Sequence, residues 1–309
     1  MTTAPTSAAS IPRIPPLGRL LTALATPFGS DGALDLDGAS RLAAHVVDRG
    51  SDGLVVAGTT GESPTLGHEE VLDLFSAVRE AVPSASVVAG CGKNDTAATV
   101  SLVEEATARG VDGILLVSPY YNKPSQRGLL AHFTAAARAT DLPVILYNIP
   151  GRTACEIAPE TILDIIEAAP NVVGVKDAVG QMPKTAWLAA RAPQEFSIYA
   201  GDDVSTLPML AVGGVGVVSV SGHLVSGELA RMIDVFGSDP AEARAVHHRL
   251  LPLFSALFVE TNPVPLKAAL RMLGLPAGTV RLPLVEASDS TESHLRGVLD
   301  DLGLLGAGA

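Results

Sequence analysis

Five short stretches of this chain carry groups that could act on a small carbonyl compound. They are Gly58-Thr59-Thr60-Gly61-Glu62-Ser63, Pro119-Tyr120-Tyr121-Asn122-Lys123-Pro124, Tyr147-Asn148-Ile149-Pro150-Gly151-Arg152-Thr153, Lys176-Asp177-Ala178 and Gly201-Asp202-Asp203. Lys176 stands out among them. Of the five lysines (Lys93, Lys123, Lys176, Lys184 and Lys267), only Lys176 follows an aliphatic strand-like run, Val172-Val173-Gly174-Val175. An ammonium in such a setting loses hydration, which favours the neutral amine, and a neutral amine attacks a carbonyl carbon to form a Schiff base. A strand-end lysine that snorkels, or that pairs with the adjacent Asp177, fits the same residues.

The other stretches are each open to two readings. Tyr147 ends an apolar run, so its ring is expected to be buried and its hydroxyl to need a partner; a structural tyrosine or an acid/base both answer to that. Thr59-Thr60-Gly61 offers backbone N–H groups and hydroxyls, either as a cradle for a small carboxylate or as a plain tight turn. Arg152 suits bidentate carboxylate binding, or is simply a solvated loop arginine. Asp202-Asp203 reads as a helix N-cap rather than a cation site. Cys91 reads as a small buried thiol and Trp187 as a residue packing a helix onto the core. The seven histidines show no metal-ligand spacing, and with no H-E-x-x-H and no cysteine pair the expectation is no metal.

The elements that must position these groups follow one repeated pattern. Runs rich in β-branched or aliphatic residues begin at Leu20, Gly53, Ser86, Gly113, Pro143, Val172, Phe196 and Gly216, and each is followed by an Ala-rich amphipathic segment. A strand with its crossover helix needs roughly 30 residues, which is close to the spacing of these runs. The runs are continuous rather than alternating, as expected of parallel strands covered on both faces. Helices are predicted where LDLDGASRLAAHVVDRG and DTAATVSLVEEATARG open on acids and stop at glycine. Eight such units predict a (β/α)8 TIM barrel over residues 19–239. A doubly wound open sheet also accommodates eight strands, but no G-x-G-x-x-G follows the first one. In a barrel, all five stretches fall at the C-terminal ends of strands, where the chemistry of this fold is done. From residue 240 to 309 the strand signals stop and three helical segments follow, a C-terminal helical appendage. Residues 1–18 are rich in Thr, Ala, Pro and Ser and read as a loose tail.

Composition removes several classes of function. With a net charge of −12 and no Lys/Arg-rich run, the electrostatic term that drives nucleic-acid binding is missing. The most apolar stretch, residues 207–220, is too short to span a bilayer, so no membrane association is expected. The tail has no basic start before an apolar core, and two cysteines, Cys91 and Cys155, fit a reducing compartment. The expectation is a soluble, cytoplasmic enzyme.

GTTGES, PYYNKP, YNIPGRT, GVKDA and AGDD, together with NPVPLK at Asn262–Lys267, occur in an order and spacing that resembles the dihydrodipicolinate synthase / N-acetylneuraminate lyase family, from about Leu20 to the helical tail. The resemblance implies a Schiff-base lyase with no cofactor beyond the covalent pyruvate imine on Lys176. It implies that Tyr147 is the general acid/base, linked to Thr60 and to Tyr121, the latter supplied by a neighbouring subunit of a homotetramer built from dimers. Thr59 and Thr60 match the pair that holds the pyruvate carboxylate. Gly201 and Val218 fall at substrate-binding positions. The Thr-Thr pair and Arg152 resemble the family's synthases rather than its sugar-acid lyases. Arg152 would bind the carboxylate of aspartate semialdehyde. Ser63, His68, Asn94 and Tyr120 match a lysine-feedback pattern, but Ala98 stands where that pattern has glutamate and Val71 where it has histidine. Weak or absent lysine inhibition is therefore expected.

Overall fold

The computed structural model describes residues 15–306. Eight parallel strands close on themselves in sequence order: β1 (Leu20–Ala23), β2 (Gly53–Val56), β3 (Ser86–Gly90), β4 (Gly113–Val117), β5 (Val144–Asn148), β6 (Val172–Asp177), β7 (Ser197–Ala200) and β8 (Gly216–Ser219). Each begins within a residue of the predicted position, and the chain is a (β/α)8 barrel. The outer layer holds α1 (Leu36–Asp48), α2 (His68–Ala81), α3 (Thr96–Ala108), α4 (Gln126–Ala137), a short α5 (Pro150–Thr153), α6 (Pro159–Ala168), α7 (Met182–Ala189), α8 (Thr206–Ala211) and α9 (Gly222–Val235). The acids that opened the predicted helices are caps: the Asp35 and Asp95 carboxylates each accept an N–H, from Gly38 and Ala98, at 2.7 Å.

Successive residues of a strand face opposite ways, so each apolar run feeds two cores. Outward-facing residues such as Leu54, Val87, Leu116 and Leu146 pack under the helices. Inward-facing Leu21, Val55, Val88, Leu115, Ile145, Tyr199 and Val218 fill the barrel interior.

Two expectations change at the edges of the barrel. Of the segment read as a loose tail, residues 1–14 lie outside the described residues, but Pro15 and Leu17 are buried. Leu17 is 2% exposed and joins the interior cluster, and the Gly18 carbonyl accepts the Tyr199 hydroxyl at 2.9 Å. A barrel lined with aliphatic side chains needs a floor, and Leu17 supplies it. Trp187 does not pack α7 onto the barrel. Thr185 and Leu188 take the inward face of that helix, which turns Trp187 to an outer groove beside Pro159 and Pro183, with the Arg191 guanidinium 4.1 Å above its ring.

The C-terminal region is helical as expected, with α10 (Pro240–Ala256), α11 (Val264–Met272) and α12 (Asp289–Asp301). It is clamped onto the barrel mouth rather than hung from it. Lys267 of α11, fully buried, donates to the equally buried Glu62 at 2.6 Å and to the Thr279 carbonyl at 2.6 Å. Arg281 makes a bidentate pair with Glu70, and its backbone N–H reaches the second Glu62 oxygen at 2.9 Å. The Phe28 ring receives the cations of Lys267 and Arg281 at 4.3 and 4.2 Å. No described helix is long and apolar enough to cross a membrane.

Candidate active site

Lys176 lies near the end of β6 and is 5% exposed. Strand alternation settles the ambiguity about its neighbour. Asp177 faces the opposite side of the sheet, where its carboxylate accepts from the Thr185 hydroxyl at 2.7 Å and the Val179 N–H at 2.9 Å. The lysine therefore cannot pair with it. Across the sheet Tyr147 stands opposite it in the β5–β6 register, with Nζ 4.2 Å from the ring centre. The two groups singled out as nucleophile and acid/base are thus held against each other by backbone pairing.

Thr59 and Thr60 lie in a turn bracketed by Ala57 and Glu62, both at φ 54°. Left-handed backbone at a non-glycine residue costs about 1–2 kcal/mol, so something must hold it. Glu62 is held by Lys267 and by the Arg281 N–H, and the Gly61 carbonyl accepts the Thr26 hydroxyl at 2.8 Å. Among the described residues, the backbone N–H groups of Thr59 and Thr60 meet no backbone acceptor. Backbone donors without a backbone partner in a turn after a barrel strand are what a small carboxylate requires. Thr60 itself is buried and its Oγ1 accepts from Asn262 Nδ2 at 2.9 Å.

Arg152 sits on α5, where its guanidinium is exposed and one N–H approaches the Asn262 carbonyl at 3.4 Å. The Asn148 side chain sets this loop by a reciprocal pair with the Ile157 backbone, 2.9 Å to the carbonyl and 3.0 Å from the N–H. Tyr121 is not brought to the site: it is 90% exposed at φ 74°. Val218 is buried in the barrel interior. Gly201 continues the β6–β7 ladder by donating to the Asp177 carbonyl at 2.8 Å; a side chain there would collide with Ala178.

Of the acids after β7, Asp202 stands at the N-cap position of the short turn Asp203–Ser205, as expected, but Asp203 does not cap. The buried Asp203 reaches across to β8, accepting the Ser219 hydroxyl and the Val220 and Ser221 N–H groups at 3.0 Å. Burial and the neighbouring Asp203 hold the Asp202 carboxyl above the usual range, while Lys176 opposes that shift. Burial pushes the Cys91 thiol well up, as expected of a small buried thiol. Burial also draws Lys267 below the ordinary lysine range, and Glu62 counteracts it. Among the described residues no His, Cys, Asp or Glu group clusters as metal ligands do.

Three contributors were not assigned roles from sequence: Asn148, Asn262 and the Glu62–Lys267 pair. The letters were visible within the YN, NPVPLK and GTTGES strings, but their contacts were not, because Asn262 and Lys267 meet partners 202 and 205 residues away.

A closed parallel barrel with a buried amine, a phenol beside it and free backbone donors at its mouth defines a (β/α)8 enzyme of the lyase type. The chain belongs to the dihydrodipicolinate synthetase family, whose model matches residues 16–302. It is 53% identical over 290 residues to a 4-hydroxy-tetrahydrodipicolinate synthase of Moorella thermoacetica, covering 93% of this chain and 99% of that protein. It is 54% identical over 291 residues to the one from Thermosynechococcus vestitus, covering 93% and 98%. The crystal structure of DHDPS from Cyanidioschyzon merolae with lysine bound superposes with a TM-score of 0.93 at 46% identity, over 94% of this chain and 100% of that one.

Proposed function

We propose that this chain condenses pyruvate with L-aspartate 4-semialdehyde to give 4-hydroxy-tetrahydrodipicolinate, the opening step of diaminopimelate and lysine biosynthesis. The observation that carries this reading is the buried Lys176 amine lying 4.2 Å from the Tyr147 ring centre with Asp177 turned away.

Lys176 Nζ attacks the pyruvate ketone, and the ketone oxygen leaves as water once it has been protonated. The resulting imine is the electron sink, so no separate cofactor is required. Tyr147 moves the protons in these steps, including the one taken from the pyruvate methyl to form the enamine. The free N–H groups of Thr59 and Thr60 hold the pyruvate carboxylate. The enamine carbon then attacks the semialdehyde, whose own carboxylate is bound by Arg152; the semialdehyde's amine next adds to the imine carbon, closing the ring and expelling the Lys176 amine. Gly201 and Val218 border the space for substrate.

Tyr121 is an exposed aromatic in a strained backbone conformation, which suits a side chain held out for a neighbouring copy. We infer that it completes the site of a second subunit, in a homotetramer built from dimers that exchange this tyrosine. Two unpaired cysteines accord with a cytoplasmic setting.

The test is the initial rate with both substrates, coupled to the NADPH-dependent reductase that consumes the product. A robust rate that vanishes in Lys176→Ala is expected. No rate with an active coupling enzyme would move the assignment to another aldehyde.

A further inference from the structure

Asn262 lies in the loop between α10 and α11, outside the eight βα units, yet it touches two groups of the mouth. Its Nδ2 donates to Thr60 Oγ1 at 2.9 Å, and its backbone carbonyl accepts from Arg152 at 3.4 Å. The loop is fixed by the pair that follows it, Lys267 on Glu62, so Asn262 and Lys267 grip the strand-2 turn at Thr60 and two residues further on. Asn262 Oδ1 is buried without a protein partner among the described residues, so the contact with Thr60 is what orients the amide.

A threonine hydroxyl has one proton and two lone pairs. With an amide N–H directed at the oxygen, the proton must point elsewhere. We propose that Asn262 is a positioning residue that forces the Thr60 hydroxyl to act as a donor into the barrel mouth, and so sets the direction in which protons move between Thr60, Tyr147 and the pyruvate imine. This inference rests on the function proposed above. It gives the C-terminal region a part in the chemistry: the helices deliver the amide that polarises Thr60, and the same loop steadies Arg152.

The isosteric Asn262→Asp is the informative variant. A carboxylate can only accept, so it would draw the Thr60 proton toward itself and reverse the hydroxyl. Asn262→Ala removes the constraint without reversing it. The measurement is exchange of the pyruvate methyl protons with solvent deuterium, followed by NMR without aldehyde, alongside borohydride trapping of pyruvate and a thermal melt of each variant. Trapping is expected in all three proteins. Exchange is expected to fall on the order of 10²-fold in Asn262→Asp, the scale of general acid–base catalysis. In Asn262→Ala it should fall about tenfold, the scale of one lost hydrogen bond. In a Thr60→Val background, Asn262→Asp should cost nothing further, because the hydroxyl it acts through is gone.

A merely structural Asn262 would give the opposite order, with the shape-conserving Asp milder than Ala. That order, or an undiminished Asp penalty in the Thr60→Val background, would overturn the inference while leaving the proposed function standing. Failure of the unaltered protein to trap pyruvate would overturn both.

Discussion

Lys176 and Tyr147 occupy opposing positions of neighbouring strands, and the ammonium nitrogen lies 4.2 Å from the centre of the phenol ring. The contrast with Lys267 is informative. Both lysines are buried, but Lys267 is matched to Glu62 at 2.6 Å, whereas the acid next to Lys176 in sequence is spent on Thr185. Lys267 thus has a carboxylate partner, and Lys176 has the Tyr147 ring in its place.

Arg152 is exposed at the rim and contacts neither Lys176 nor Tyr147 in the pairs described above, so its role should separate from imine formation. Arg152→Ala is expected to leave borohydride trapping of pyruvate intact. The kcat/KM for aspartate semialdehyde should fall about 10- to 100-fold, the cost of losing charge-assisted hydrogen bonds. Trapping and condensation rates measured on one preparation check this; a parallel loss of both would remove Arg152 from the aldehyde site.

Lys267→Met leaves Glu62 buried beside an apolar side chain, and breaking such a pair costs about 3–5 kcal/mol. Denaturant unfolding should show that loss, and Glu62→Gln added to Lys267→Met should restore part of it. If the double variant were no more stable than Lys267→Met alone, the pair would not be the source of the effect.

His223 is fully buried between the ends of β1 and β8, where Nε2 accepts the Ala25 N–H at 3.0 Å and Nδ1 lies 2.8 Å from the Val220 carbonyl. Burial pushes its pKa down to about 4. The unfolded chain takes up this proton near the ordinary histidine value of about 6.5. Stability from the neutral ring is therefore fully present above pH ~6.5 and lost as pH falls toward about 4, by roughly 3 kcal/mol at most. His132 and His247, also held low by burial, act in the same window, so a difference isolates His223. The slope of unfolding free energy between pH 6.5 and 5 should be shallower in His223→Gln than in the unaltered protein. Equal slopes would contradict the assignment.

Lysine feedback should be weak or absent. Ser63, His68, Asn94 and Tyr120 are present, but Ala98 is an exposed methyl group and Val71 is buried in the core under α2. His68 is engaged with Glu105 at 2.8 Å. No carboxylate at position 98 meets an effector ammonium. The relative from Cyanidioschyzon merolae carries lysine in its crystal structure. A titration of the coupled rate with L-lysine checks this chain, and an IC50 in the low millimolar range or below would contradict the expectation.

The barrel was legible because strands buried on both faces must be continuously aliphatic, so their starts could be read to within a residue. The positions of the candidate residues were legible because they follow the ends of those strands. Contacts set only by tertiary packing were not. Leu17 was hidden in a Pro- and Ser-rich segment whose composition says nothing of a barrel floor. Asp203 looked like a helix cap because sequence spacing does not reveal that β8 lies beside it. Trp187 looked like core because its size suggests burial, whereas the phase of α7 assigns the inward positions to Thr185 and Leu188.

The role of Lys176 as the nucleophile is tested most directly by reducing the protein with borohydride in the presence of pyruvate and mapping the modified residue by mass spectrometry. A single pyruvate-derived adduct on Lys176 is expected, absent without pyruvate and absent in Lys176→Ala. An adduct on another lysine, or one that persists in Lys176→Ala, would contradict it.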